Sequence, residues 1–262
     1  MMKGEKHFVL IHGANYGAWC WYKVATQLKS SGHNVTTLDM AGCGMNMKQV
    51  QDVGTISEYH EPLMTFMESL PSHEKVILVG HSLGGVSISV AMERFPEKVS
   101  VAVFVSAIII SENLTYPAIM QERRRRKEDT LLDTQLFFSN GPNKAPTAIL
   151  FGPKYMESMM FQLSPPQDLT LALSLVRPFP LFGDDEQFLK DTTITKDKNG
   201  RVCKVSIICK GDKMLNEDSQ MWMIERTGPF EEVKVIKDSD HMVMFSNPKE
   251  LCSLLLEIAH KY

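Results

Sequence analysis

The stretch Lys75-Val-Ile-Leu-Val-Gly-His-Ser-Leu-Gly-Gly-Val-Ser-Ile88 constrains the fold of this chain more than any other. Its first half is an apolar, β-branched run that reads as a buried strand, and its second half opens a helix with almost no loop between them. Ser82 stands at the corner with glycines on both sides. So sharp a turn forms only where side chains do not collide, and it leaves the serine oxygen clear at the helix N-terminus. The spacing Gly80-His81-Ser82-Leu83-Gly84 predicts a nucleophile held toward a substrate.

The rest of the chain supplies a scaffold for such a corner. Short apolar runs recur at His7–Ile11, Asn34–Leu38, Lys75–Val79, Val99–Val105, Val205–Cys209 and Glu232–Ile236, mostly separated by segments of helical spacing. That alternation predicts βαβ units around a mostly parallel sheet, an α/β fold with strands covered on both faces. A chain of 262 residues is expected to form one such domain. Thr55 and Glu58 are spaced as a capping box, although Pro62 limits the regularity of the helix start, and Asn247-Pro248-Lys249-Glu250 opens a final helix. From about 108 to 182 the alternation lapses into proline-broken short helices and turns, rich in methionine and aromatics. An insert of this kind is expected to be a helical cap over a cavity. Within it Arg123–Lys127 reads as a solvated helix face.

Charge and cysteine content narrow the partners. With 28 basic and 31 acidic side chains the net charge is −3, which offers no field for nucleic acid or an anionic membrane. The apolar run at Phe8–Ile11 is too short for a signal-peptide core or a membrane span, and five cysteines without a CxxC pair argue against a disulfide framework. A reducing, cytoplasmic setting is expected.

A serine nucleophile needs a base, and the base needs a group that fixes its tautomer. Of eight histidines, His241 lies after the last strand and before the terminal helix, where a loop carries imidazole back over the sheet. Asp212 ends the penultimate strand; Glu217 and Asp218 read as the first turn of the next helix, and Asp238 and Asp240 are too near His241 in sequence. The order Ser82, Asp212, His241 is that of α/β-hydrolases. Backbone N–H groups of Leu83 and Ala14 are expected to form the oxyanion hole.

Beyond these residues, the chain closely resembles the plant methylesterase and hydroxynitrile lyase family of α/β-hydrolases over nearly its whole length. The matching segments are Lys6–Ala14, Gly17–Lys23, Ser31–Asp39, Glu74–Gly85, Leu175–Pro178, Asp240–Met242 and Leu254–Tyr262. The resemblance implies the same triad and neither cofactor nor metal. Lyases of the family carry threonine, glutamate, cysteine and lysine where this chain has Gly13, His81, Leu83 and Met242, so esterase chemistry is preferred over cyanide chemistry. The decarboxylating, methylketone-forming branch has lost the serine and changed the acid, and this chain retains both.

The resemblance implies a small-molecule methyl ester as substrate: a salicylate- or jasmonate-type hormone ester, or the carbomethoxy group of a monoterpene indole alkaloid with decarboxylation to follow. Ser100–Phe104 and Leu114–Pro117 are similar to the alkaloid branch, whereas Ile108–Glu112 and Lys210–Asn216 depart from the family pattern. A hydroxynitrile lyase and a ligand-retaining receptor are the alternative readings. Pocket-lining residues are expected at His12, Gly13, Leu114, Tyr116, Phe151, Met160, Met214 and Met242. No nucleic acid or membrane partner is expected, and at most a second copy of the chain in a homodimer.

Overall fold

A computed structural model describes residues 4–128, 130–183 and 185–262. Six of its strands, β1 (His7–Ile11), β2 (Asn34–Leu38), β3 (Val76–Ser82), β4 (Val99–Ala107), β8 (Lys204–Cys209) and β9 (Glu232–Ile236), form one parallel sheet in the order β2-β1-β3-β4-β8-β9. All six coincide with the apolar runs to within three residues at either end. The side chains alternate between two apolar layers. Val9, Ile11, Leu78 and Phe104 face the layer containing α2 (Ile56–Ser69), α3 (Gly84–Arg94) and α8 (Glu217–Thr227). Phe8, Leu10, Val79, Val103 and Ile207 face the layer of α1 (Tyr22–Ser30) and the terminal α10 (Pro248–Lys261). Central strands buried on both sides explain why the sequence shows near-continuous apolar runs there.

Both helix starts behave as their spacing predicts, with one difference each. Thr55 accepts from the Glu58 N–H while the Glu58 carboxylate reaches back to the Thr55 N–H, and α2 then runs unbroken through Pro62. The proline lies beyond the first turn, so it costs one intrahelical donor without ending the helix. At α10 the Asn247 side chain accepts from the Glu250 N–H at 3.4 Å, and Glu250 answers the Asn247 side-chain amide rather than its backbone.

The excursion after β4 is helical as expected, with α4 (Tyr116–Arg125), α5 (Pro153–Tyr155, continued by a π turn at Met156–Met160) and α6 (Pro166–Leu175). Its prolines start helices as much as they interrupt them, since Pro117, Pro153 and Pro166 occupy first-turn positions where no N–H is needed. The excursion also holds a small antiparallel sheet that the sequence did not reveal, β5 (Gln135–Phe137), β6 (Ala148–Leu150) and β7 (Phe179–Pro180). A further helix, α7 (Asp185–Asp191), precedes β8, and a short α9 (Val243–Ser246) precedes α10. Most of the excursion's methionines are core rather than lining: Met156 and Met160 are buried in the second apolar layer, where Phe161 stacks on Tyr16 and Phe245.

Two polar clamps fix the excursion over the C-terminal ends of the strands. The Asn15 side-chain amide donates to the carbonyls of Ile149 and Arg177, both at 2.8 Å, and the Arg177 guanidinium donates to the carbonyls of Gly44, Asn46 and Lys48. Among the described residues no helix is long and apolar enough to cross a membrane, and all five cysteines are free thiols.

Candidate active site

Ser82 ends β3 with φ of 52°, the left-handed region a non-glycine residue rarely adopts. The strain is held by what surrounds the corner. The Ile108 N–H donates to the Ser82 carbonyl at 2.9 Å, and α3 begins so close to β1 that a Cβ at Gly84 would lie 2.7 Å from the Ile11 carbonyl oxygen. Only glycine permits that approach.

Asp212 and His241 come from the loops after β8 and β9. These loops are stitched together, with Lys210 N–H donating to the Ile236 carbonyl and Gly211 N–H to the Ser239 carbonyl. His241 Nδ1 lies 2.6 Å from Asp212 Oδ2, and both residues are buried. The carboxylate accepts further hydrogen bonds from the Met214 and Leu215 N–H groups, each at 2.8 Å, and from the Ser106 hydroxyl. With Nδ1–H donated to the carboxylate, His241 Nε2 carries the lone pair. That nitrogen is buried and, among the described residues, has no hydrogen-bond partner, while Ser82 and His241 line one cavity. The Ser82–His241 hydrogen bond is therefore unmade in the free protein, as is common before substrate fills a site.

The remaining histidines near the corner have structural roles. His81 is buried, its Nε2–H donates to the His241 carbonyl at 2.8 Å, and its ring centroid lies 4.7 Å from that of His241. Burial, then the neighbouring His241, holds its pKa well below the usual imidazole value, so it anchors the His241 backbone as a neutral donor. His12 donates Nδ1–H to the Gly13 carbonyl at 2.7 Å and accepts the Met40 N–H at Nε2, and burial lowers its pKa too. Asp240 does not compete for the imidazole: its oxygens accept from Leu163 N–H, the Ser164 hydroxyl and Met242 N–H, tying the base's loop to the excursion.

A cavity of about 380 Å3 opens at Ser82. Ala14 and Leu83 line it, and among the described residues neither backbone N–H is donated to another backbone carbonyl outside regular elements. Of the predicted lining residues, Tyr116, Phe151 and Met214 are present. The other five are not in its wall, and each is held elsewhere. His12 and Met242 are fully buried, Leu114 packs in the first core layer, and Met160 receives the Tyr16 hydroxyl at its sulfur. Gly13 lies behind the serine, where a Cβ would come within 2.8 Å of Ser82 Cβ.

Two arginines of the supposed solvated face line the cavity instead. Arg123 is buried and donates to the Met214 carbonyl at 2.9 Å, and Arg124 stands beside it in the wall. Charge-run reasoning missed them. The available signal was the spacing of Tyr116, Met120, Arg123 and Arg124, which shares one helix face.

A parallel sheet carrying a serine on the turn from strand to buried helix, with an acid and a histidine on the two loops that follow, is the arrangement of α/β hydrolases. The chain belongs to that family, with residues 8–254 matching the alpha/beta hydrolase family, and its relatives are plant methylesterases. It is 54% identical to methyl jasmonate esterase 1 of Vitis vinifera over 262 residues, covering 100% of both chains. Among solved structures, tomato methylketone synthase I complexed with 2-tridecanone superposes with a TM-score of 0.93 at 44% identity, covering 98% of this chain and 99% of that one. Polyneuridine aldehyde esterase superposes at 0.87 with 39% identity, covering 97% and 99%.

Proposed function

We propose that this chain is a serine carboxylesterase that hydrolyses the methyl ester of a small plant metabolite. The observation that carries the reading is the convergence of Ser82, the unpartnered Nε2 of His241 and the Ala14 and Leu83 backbones on one cavity, with Asp212 behind the imidazole. In this mechanism His241 Nε2 takes the Ser82 proton as the serine oxygen attacks the ester carbonyl. Charge develops on the carbonyl oxygen, where the Leu83 and Ala14 N–H groups stabilise it; a donor of this kind is worth about 3–4 kcal/mol. Imidazolium then protonates the departing methoxide, giving methanol and an acyl-serine. Water activated by the same imidazole releases the acid and restores the hydroxyl.

Carboxylic ester hydrolysis is also the activity carried in the names of the relatives. Identity of 54% to a methyl jasmonate esterase against 39% to polyneuridine aldehyde esterase favours a jasmonate-type hormone ester over an alkaloid carbomethoxy group. Next to the base, where the lyases carry a lysine, stands buried, apolar Met242, which weighs against the lyase reading.

The test is methanol release from methyl jasmonate, methyl salicylate, methyl indole acetate and a carbomethoxy alkaloid, run beside cyanide release from mandelonitrile. The expected order places the jasmonate ester at least about tenfold above the alkaloid in kcat/KM, about 1.4 kcal/mol of barrier. Cyanide release without ester cleavage contradicts the proposal.

A further inference from the structure

The four arginines at the end of α4 are not equivalent. Arg125 and Arg126 both hold Glu122 at 2.7 Å, and Arg123 holds the Met214 carbonyl with Glu128 at 3.8 Å. Arg124, among the described residues, has neither a hydrogen-bond acceptor nor an acidic neighbour for its guanidinium. It is nevertheless this arginine that borders two compartments. One is the cavity at Ser82; the other, of about 270 Å3, shares with it Leu83, Tyr116, Met120, Arg124, Phe179 and Leu181. Tyr116, Met120 and Arg124 recur every four residues, so one stripe of α4 forms the common wall.

The second compartment ends against Ile56, Phe182 and Phe188, and among the described residues no aspartate or glutamate lines either space. Leu83, which follows the nucleophile and is one of the two expected oxyanion donors, borders both, so the second compartment adjoins the cavity at Ser82. An acyl group leaving Ser82 in that direction meets aromatic rings and one guanidinium, which offers five N–H donors and stays charged at any working pH.

We propose that Arg124 is the polar anchor of an acyl subsite. The second compartment takes the body of the acyl group, and the guanidinium takes a hydrogen-bond-accepting oxygen, a ketone or a carboxylate, carried at the end remote from the methyl ester. This substrate class rests on the esterase reading above. Arg124 acts on specificity and takes no part in bond breaking. Because Arg124 is exposed, the gain is about tenfold in affinity, the low end for a hydrogen bond to a charged group.

Binding without turnover tests it. The Ser82→Ala protein is titrated calorimetrically with three methyl esters of one carbon skeleton, bearing a distal ketone, a distal carboxylate or only hydrocarbon. The two oxygenated esters are expected to bind about tenfold more tightly than the hydrocarbon one. Arg124→Met in the same background abolishes the difference, Arg124→Lys retains part of it for the carboxylate, and Arg124→Glu reverses the carboxylate preference. Equal affinities in the parent, or a preference that survives Arg124→Met, overturn the anchor. Failure of the protein with Ser82 intact to hydrolyse any of the three overturns the esterase reading instead, and the binding ratio still decides the role of Arg124.

Discussion

His241 and Asp212 meet across 29 residues of sequence through a 2.6 Å contact between Nδ1 and Oδ2, inside a region closed to solvent. The other carboxylate oxygen accepts from two backbone N–H groups, and the Ser106 hydroxyl donates to Oδ2 beside the imidazole. An asparagine at 212 keeps the shape but presents an amide that can donate to Nδ1, which turns the lone pair away from Ser82. Asp212→Asn is therefore expected to lower kcat for methyl ester hydrolysis by about 10^3–10^4-fold, with the fold retained. Methanol release and circular dichroism on the same preparation check both halves.

Gly13 predicts a steric effect at the nucleophile. A methyl at this position would sit 2.8 Å from Ser82 Cβ and 3.3 Å from its oxygen, closer than van der Waals contact allows. Gly13→Ala is expected to displace the serine, lowering kcat/KM by about tenfold or more and stability by about 1–3 kcal/mol. A chemical denaturation curve and ester kinetics measure the two effects; full activity would mean the first loop moves freely away from the corner.

Asn15 supports the same loop by a different means. Its φ is 67°, which asparagine tolerates better than alanine, and its side chain bridges two carbonyls of the excursion. Asn15→Ala loses both hydrogen bonds and is strained, so a loss of about 2–3 kcal/mol is expected, whereas Asn15→Gly escapes the strain and loses about 1 kcal/mol less. Equal losses in the two variants would remove backbone strain from the explanation.

His60 makes the fold sensitive to acid. It is buried on α2 with no partner at either ring nitrogen among the described residues, and burial, reinforced by the charge of Arg94, pushes its pKa down to about 3. An unfolded histidine titrates near 6.5, so between these values the unfolded chain binds the extra proton and folding stability falls as the pH is lowered. From pH 7 to pH 5 the cost approaches about 2 kcal/mol. His60→Phe is expected to lose that component of the acid sensitivity, read as the difference between urea midpoints at the two pH values.

The parts of the molecule legible in the sequence are those with strong local patterning. The runs of β1, β3, β4 and β8 became strands because central strands covered on both faces need apolar residues at nearly every position, while the edge strands β2 and β9 bury only some of theirs. Ser82 was legible because the strand, the glycines and the helix start all constrain the same corner. The small sheet at β5–β7 was not, since strands of two or three residues carry no period. Met160 and Met242 are expected in the pocket, the one from the methionine-rich excursion and the other beside the base, yet both turn into the core. Arg123 was read as solvated because its run of charge is continuous, and only the packing of α4 against the loop after β8 distinguishes it from Arg125.

The most direct test of the account is the kcat/KM for methyl ester hydrolysis by the Ser82→Ala protein beside the parent. A hydroxyl that forms the acyl-enzyme predicts a loss of at least about 10^4-fold, with ester binding retained. Hydrolysis within about tenfold of the parent rate, about 1.4 kcal/mol of barrier, would contradict the nucleophile and the mechanism built on it.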